Sequence, residues 1–147
     1  MKPMNETTIT FLSRSANEGF ARTAAACFAA QLDPTLDEVN DIKTAVSEAV
    51  TNCIVHAYPS TLGKVSVRLR LFSDSSVEIV VRDWGVGIPD VEKAREPLFT
   101  TGDASRSGMG FTIMESFMDK LKVRSQPGRG TVVTMRKRVS RRMSGAL

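Results

Sequence analysis

Between Lys64 and Phe72 the chain alternates strictly, with Val65, Val67, Leu69 and Leu71 in one register and Lys64, Ser66, Arg68 and Arg70 in the other. Side chains two apart on a strand share a face, so the segment reads as a strand with one packed face and one solvated face. Ser73 to Ser76 supplies a turn, and Val77 to Arg82 is the hairpin partner. A sheet of this kind needs a layer to cover its apolar side, and the segments upstream provide one.

Thr35-Leu36-Asp37-Glu38 has the form of a capping box, in which the Thr hydroxyl and the Glu carboxylate each satisfy a free backbone N–H. It opens a helix to about Ala57, with Val39, Ile42, Val46, Ala49, Val50, Cys53 and Ile54 on its apolar side. Ser15-Ala16-Asn17-Glu18 reads as a second capping box. It starts a helix to about Gln31 with Phe20, Ala24, Cys27 and Phe28 as its stripe, broken by Asp33-Pro34. Thr7 to Leu12 reads as a strand. A short helix is expected from Asp90 to Arg95, a mobile loop from Glu96 to Gly108, and a helix from Gly110 to Lys120 with Phe111, Met114, Phe117 and Met118 inward. Leu121 to Ser125 and Thr131 to Arg138 read as strands joined by a Pro-Gly turn. The expected fold is an α/β (α+β) two-layer sandwich: one mixed, mostly antiparallel sheet with helices on one face.

At 147 residues the chain is expected to be a single domain, folded over about 7–138 with a basic tail at 139–147. Five cations at the C-terminus, Arg136, Lys137, Arg138, Arg141 and Arg142, account for the whole +4 surplus, which leaves the body near neutral. Direct nucleic-acid binding is therefore not expected. No apolar run approaches the roughly 20 residues of a membrane helix, and the N-terminus lacks the apolar core of a signal peptide, so a cytoplasmic location is expected. Both cysteines, Cys27 and Cys53, fall in apolar helical patterns and read as buried reduced thiols. A single histidine argues against zinc.

The chemistry sits in two pieces far apart. Glu48 and Asn52 are four apart and share a helix face, which His56 continues. Mg²⁺ takes oxygen ligands and keeps several waters, so the Asn52 amide oxygen together with phosphate oxygens makes a normal site, and Glu48 can take or orient a proton. Asp83 ends a strand, where its carboxylate can accept from an adenine amine, and Gly85 and Gly87 let the backbone approach the base. Trp84 between them reads as a packing residue. Gly108-Met109-Gly110 opens a helix whose free N–H groups suit a triphosphate. Arg106 just before it can neutralise the terminal phosphate. Each piece alone is an ordinary turn or a solvated helix face. Together, in this order, they point to Mg-ATP and transfer of its terminal phosphate.

At these residues the chain resembles the ATPase superfamily of DNA gyrase, heat-shock protein 90, histidine kinases and MutL, with its Bergerat-type ATP-binding fold. Glu48-xxx-Asn52 resembles the N box, and Asp83-x-Gly85-x-Gly87 and Gly108-x-Gly110 resemble the glycine boxes. Gly130-Thr131 resembles the last motif, whose Thr helps hold the adenine-binding Asp. Phe20-Ala21-Arg22, Gln31-Leu32-Asp33-Pro34, Ser47 to Asn52, Pro97-Leu98-Phe99-Thr100-Thr101 and Arg106 to Glu115 look like the sporulation anti-sigma F factors of endospore-forming bacteria, a resemblance covering about 7–138. It implies a homodimeric protein-serine kinase and anti-sigma factor. Such a protein binds and inhibits a sigma factor, sigma F, and uses Mg-ATP to phosphorylate a serine of its anti-anti-sigma antagonist. It also implies Thr101 among the nucleotide-binding residues and Arg22 as a partner-binding residue.

Three other readings remain: the equivalent kinase of a general stress-response sigma factor, the catalytic half of a histidine kinase, and a module that binds a sigma factor and holds ATP without turnover. Against the second, no helical hairpin with a phospho-accepting histidine precedes the domain. Against the third stands Glu48.

Overall fold

The computed structural model describes residues 1–97 and 109–140. In chain order its elements are β1 (Asn5–Leu12), α1 (Ala16–Ala29) closed by a 3₁₀ turn (Ala30–Leu32), α2 (Leu36–Asn52) continued by a π turn (Cys53–Ala57), β2 (Lys64–Leu71), β3 (Ser76–Asp83), α3 (Val91–Ala94), α4 (Gly110–Phe117), β4 (Lys120–Gln126) and β5 (Gly130–Arg138). The strands form one sheet in the order β1-β2-β3-β5-β4, and every neighbouring pair is antiparallel. The two-layer sandwich is as expected, with the difference that the sheet has no parallel pair among the described residues.

Register follows the alternation. Val65, Val67, Leu69 and Leu71 of β2 lie beside Val77, Ile79 and Val81 of β3 and Val133 and Met135 of β5, all buried under the helices. α2 runs across this face through Ile42, Ala45, Val46, Ala49 and Val50. Its capping box forms as expected: Thr35 Oγ1 accepts from the Glu38 N–H at 3.2 Å, and Glu38 Oε1 accepts from the Thr35 N–H at 2.8 Å.

α1 differs in two ways. Its expected capping box does not form. Ser15 adopts helical backbone angles and makes no side-chain cap, and the Glu18 carboxylate accepts from Arg22 Nε at 2.7 Å instead. Its buried face is Ala21, Ala25 and Ala29, about one residue round from the expected stripe, so Phe20 is 53% exposed and Cys27 is exposed. A ridge of alanines lets α1 sit close against α2, which larger side chains would prevent. In α4, Phe111, Met114 and Met118 turn inward as expected, but Phe117 is exposed.

The segment at 139 is not yet a free tail. Val139 is buried and its N–H donates to the Ser75 carbonyl, and the Ser140 N–H donates to Glu38 Oε2 at 2.8 Å. Residues 141–147 lie outside the described residues. The near-neutral body is also internally divided. Lys64, Arg68, Arg70, Arg82, Lys120, Lys122, Arg124 and Arg136 occupy outward positions of the sheet, against Glu6 and Glu78 in those rows.

Candidate functional site

The two sequence pieces meet at one end of the sandwich. Glu48 and Asn52, one helical turn apart near the end of α2, face the start of α4. A Cβ built on Gly110 would lie 3.3 Å from Asn52 Oδ1 and 3.3 Å from Glu48 Oε2. The α4 N-terminus, with Met109 as its cap residue, is thus set directly against a carboxylate and an amide. Asn52 and Glu48 are oxygen donors of the type Mg²⁺ takes, and a helix N-terminus suits the phosphates such an ion accompanies. The chemistry of this donor set fits Mg-nucleotide. Thr101, Arg106 and Gly108 lie outside the described residues.

Asp83 lies at the end of β3 and is buried, in register with the core positions of that strand. Its Oδ1 accepts from the Gly85 N–H at 3.0 Å and the Thr131 N–H at 3.2 Å. Burial raises the Asp83 pKa above its ordinary value, and the hydrogen bonds from the Gly85 and Thr131 N–H groups oppose that rise. The Thr131 link to Asp83 runs through its backbone. Its hydroxyl turns instead to Ser125 Oγ, 2.8 Å away.

The loop after Asp83 is clamped on both sides. Gly87 has φ +77°, and a Cβ there would lie 2.2 Å from the Gln126 carbonyl oxygen. Gly130, with φ +106°, passes so close to Asp83 that a Cβ would lie 2.2 Å from its carbonyl oxygen. Only glycine fits either position. On the other side the Val86 N–H donates to the Ala57 carbonyl at 3.0 Å. Ser125 Oγ accepts from the Ile88 N–H at 2.7 Å, tying the loop to β4.

Trp84 is 40% exposed and does not pack in the core. It alternates to the open face of the sheet, where Lys64 Nζ lies 4.5 Å and Arg82 Cζ 4.7 Å from its ring centroid. Its N–H donates to the Tyr58 hydroxyl, which donates in turn to the Lys64 carbonyl. Arg22 lies on α1 with its side chain 41% exposed and its Nε on the Glu18 carboxylate.

The sequence reading missed two residues. Ser125 holds the Asp83 loop, and Tyr58 anchors its backbone. Ser125 carried a usable signal, since it shares a strand face with Leu121 and Val123, where a hydroxyl needs a partner.

Residues 11–137 match the model of the histidine kinase-like ATPase domain. An anti-sigma F factor from Caldanaerobacter subterraneus subsp. tengcongensis is 56% identical over 142 residues, spanning 96% of this chain and 99% of that one. The chain belongs to the anti-sigma F factor family. A member from Clostridium acetobutylicum is 51% identical over 135 residues, spanning 91% of this chain and 94% of its own. The RsbU and RsbW domains of a Mycobacterium tuberculosis protein share the fold, with a TM-score of 0.67 at 21% identity over 95% of this chain and 34% of that one. The mycobacterial sensor histidine kinase MprB superposes with a TM-score of 0.55 at 25% identity, covering 70% of this chain and 73% of that one. α2, the Asp83 loop and α4 all lie within the residues that match the ATPase-domain model. No helix among the described residues is long and apolar enough to cross a membrane.

Proposed function

We propose that this anti-sigma F family member is a cytoplasmic protein-serine kinase that also binds and inhibits a sigma factor, sigma F, and phosphorylates a serine of its anti-anti-sigma antagonist with Mg-ATP. The observation that carries the kinase reading is the approach of Glu48 and Asn52 to the first residue of α4. The names of relatives more than half identical over nearly the whole chain support the sigma-factor reading.

In this reading Asp83 accepts from the adenine amine, with Gly85, Gly87 and Thr131 shaping its surroundings. Asn52 offers its amide oxygen to Mg²⁺, which supplies charge neutralisation at the phosphates. Met109 and Gly110 line the phosphate side, joined by Gly108 and Thr101. Glu48 takes the proton of the attacking serine hydroxyl as the new O–P bond forms and the bond to the ADP oxygen breaks. Arg106 stabilises the charge on the transferred group. Arg22, part-exposed on α1 and paired with Glu18, is the partner contact. The working unit is a homodimer.

The test is mass spectrometry on a mixture of the protein, Mg-ATP and a candidate anti-anti-sigma protein. One phosphate on a partner serine, lost with Glu48→Ala while ATP still binds, supports the reading. ATP binding with no transfer in the wild type leaves a nucleotide-gated sigma-binding module.

A further inference from the structure

The cations on the outward rows of the sheet are unevenly balanced by the carboxylates there. Glu78 takes Arg70 and lies 3.8 Å from Arg68 and 4.0 Å from Arg136, so it neutralises one end of the face. Glu6 sits at the same end, opposite Arg70. Lys64, Arg82, Lys120, Lys122 and Arg124 are exposed and form no salt bridge among the described residues. They stand in two banks. Lys64 and Arg82 flank Trp84 on β2 and β3, and Lys120, Lys122 and Arg124 run along the edge strand β4. Between the banks lie Val80, Val132 and Thr134: Val80 is opposite Thr134, and Val132 is opposite both Arg82 and Arg124. Neighbouring strands are about 4.8 Å apart, so the Arg82 and Arg124 backbones stand about 10 Å apart across an uncharged floor. Along β4 the cations repeat at every second residue, about 6.7 Å.

We propose that this open face binds single-stranded nucleic acid, with its phosphates between the two banks and a base against Trp84. The expectation against nucleic acid rested on net charge, whereas binding follows where the charge sits. Balancing acids lie on the helix layer, at Glu18, Asp37, Glu38 and Asp41 of α1 and α2.

A flat face has no helix or ribbon to enter a duplex groove, but it suits a strand whose unpaired bases can stack on an aromatic ring. Trp84 is 40% exposed, with Lys64 and Arg82 over its ring. A phosphate that draws either cation away opens a π face to a base. A second copy of this face is a poor cover, because it sets cations against cations. An acidic protein would meet the cations but leave the tryptophan unused.

Trp84 is the one tryptophan of the chain, so its fluorescence reports from the face itself. The experiment titrates the full chain with oligothymidylate over a salt series, reading Trp84 emission and the anisotropy of a labelled oligonucleotide. It compares wild type with two double variants, Lys122→Gln/Arg124→Gln on β4 and Arg141→Gln/Arg142→Gln in the basic tail. Both change surface charges and should melt as wild type does. The wild type should bind with a Kd of about 10 μM at low salt and quench Trp84. Phosphate contacts from the cations of both banks give a slope of log affinity against log salt of about −3. The β4 variant should bind about tenfold more weakly with a slope of about −2, and the tail variant should bind as wild type does. Binding lost in the tail variant and kept in the β4 variant puts the contact in the tail and overturns the proposal. Polyglutamate that binds as tightly as oligothymidylate, with Trp84 unquenched, means an acidic-protein surface and overturns it too. So does the absence of oligothymidylate binding at low salt.

Discussion

Replacing Gly110 by alanine should separate activity from stability. In a helix interior alanine is favoured over glycine by about 1 kcal/mol, and part of that gain is available at the first residue of α4. The added methyl carbon would stand 3.3 Å from both Asn52 Oδ1 and Glu48 Oε2 and 3.4 Å from Asn52 Nδ2, at or inside the 3.4–4 Å of ordinary contact. Those side chains must retreat by a few tenths of an ångström. A misplacement of about 1 Å in a reacting geometry costs on the order of 100-fold, so a shift of this size should cost about threefold to tenfold in phosphoryl transfer. The melting temperature should stay level or rise by about 2 °C. Single-turnover transfer to the antagonist, measured beside a thermal melt, checks both. Wild-type transfer by Gly110→Ala would refute the placement of Glu48 and Asn52 against α4 as the reacting geometry, and a large fall in melting temperature would refute the claim that the methyl is tolerated by the fold.

Gly130→Ala should behave in the opposite way, losing at least about 2 kcal/mol in denaturant unfolding, because a Cβ at φ +106° collides with the Asp83 backbone. Thr35→Ala should cost about 1 kcal/mol by the same assay, since it opens the capping box of α2. Partial burial works to raise the Glu38 carboxyl, but hydrogen bonds from Thr35 and Ser140 outweigh it and hold its pKa below the ordinary value of 4.5. The stability Glu38 contributes is therefore present above that value and lost as pH falls through its folded pKa, which thermal melts of wild type and Glu38→Gln below pH 5 should show as a shrinking gap. Asp83 has the reverse sign. Its folded pKa lies above 3.8, so its charge costs stability at neutral pH and the cost fades as pH falls toward 3.8. Asp83→Asn should melt at or above wild type at pH 7, lose that advantage in acid, and lose ATP binding in calorimetry.

The layers of the fold were legible because β2 alternates without a break and α2 has a capping box followed by a long apolar stripe. Both signals are local, and both survive packing. α1 was misread because its alanines carry little hydrophobic weight beside Phe20 and Cys27. What buries them is close approach to α2, a tertiary effect with no mark in periodicity. The Ser15 box failed because Arg22, one turn on, competes for Glu18. Within the site, Glu48, Asn52, Asp83 and the glycines stood out through their spacing. Tyr58 did not, since its hydroxyl reaches the Trp84 N–H only through the π turn that ends there.

The topology also sets the order in which this molecule can be made. Two hairpins, β2–β3 and β4–β5, close through short turns and can form early. β1 must wait for β2 across both long helices, and β3 meets β5 only after α3 and α4 have been laid down between them. Contacts of such long sequence separation make for slow folding. Glu48 and Asn52 travel with α2, Asp83 with the first hairpin and Thr131 with the second, so the cleft exists only once all three have docked. A nucleotide that binds there recognises the finished protein alone, and it stabilises the folded state by RT ln(1 + [L]/Kd).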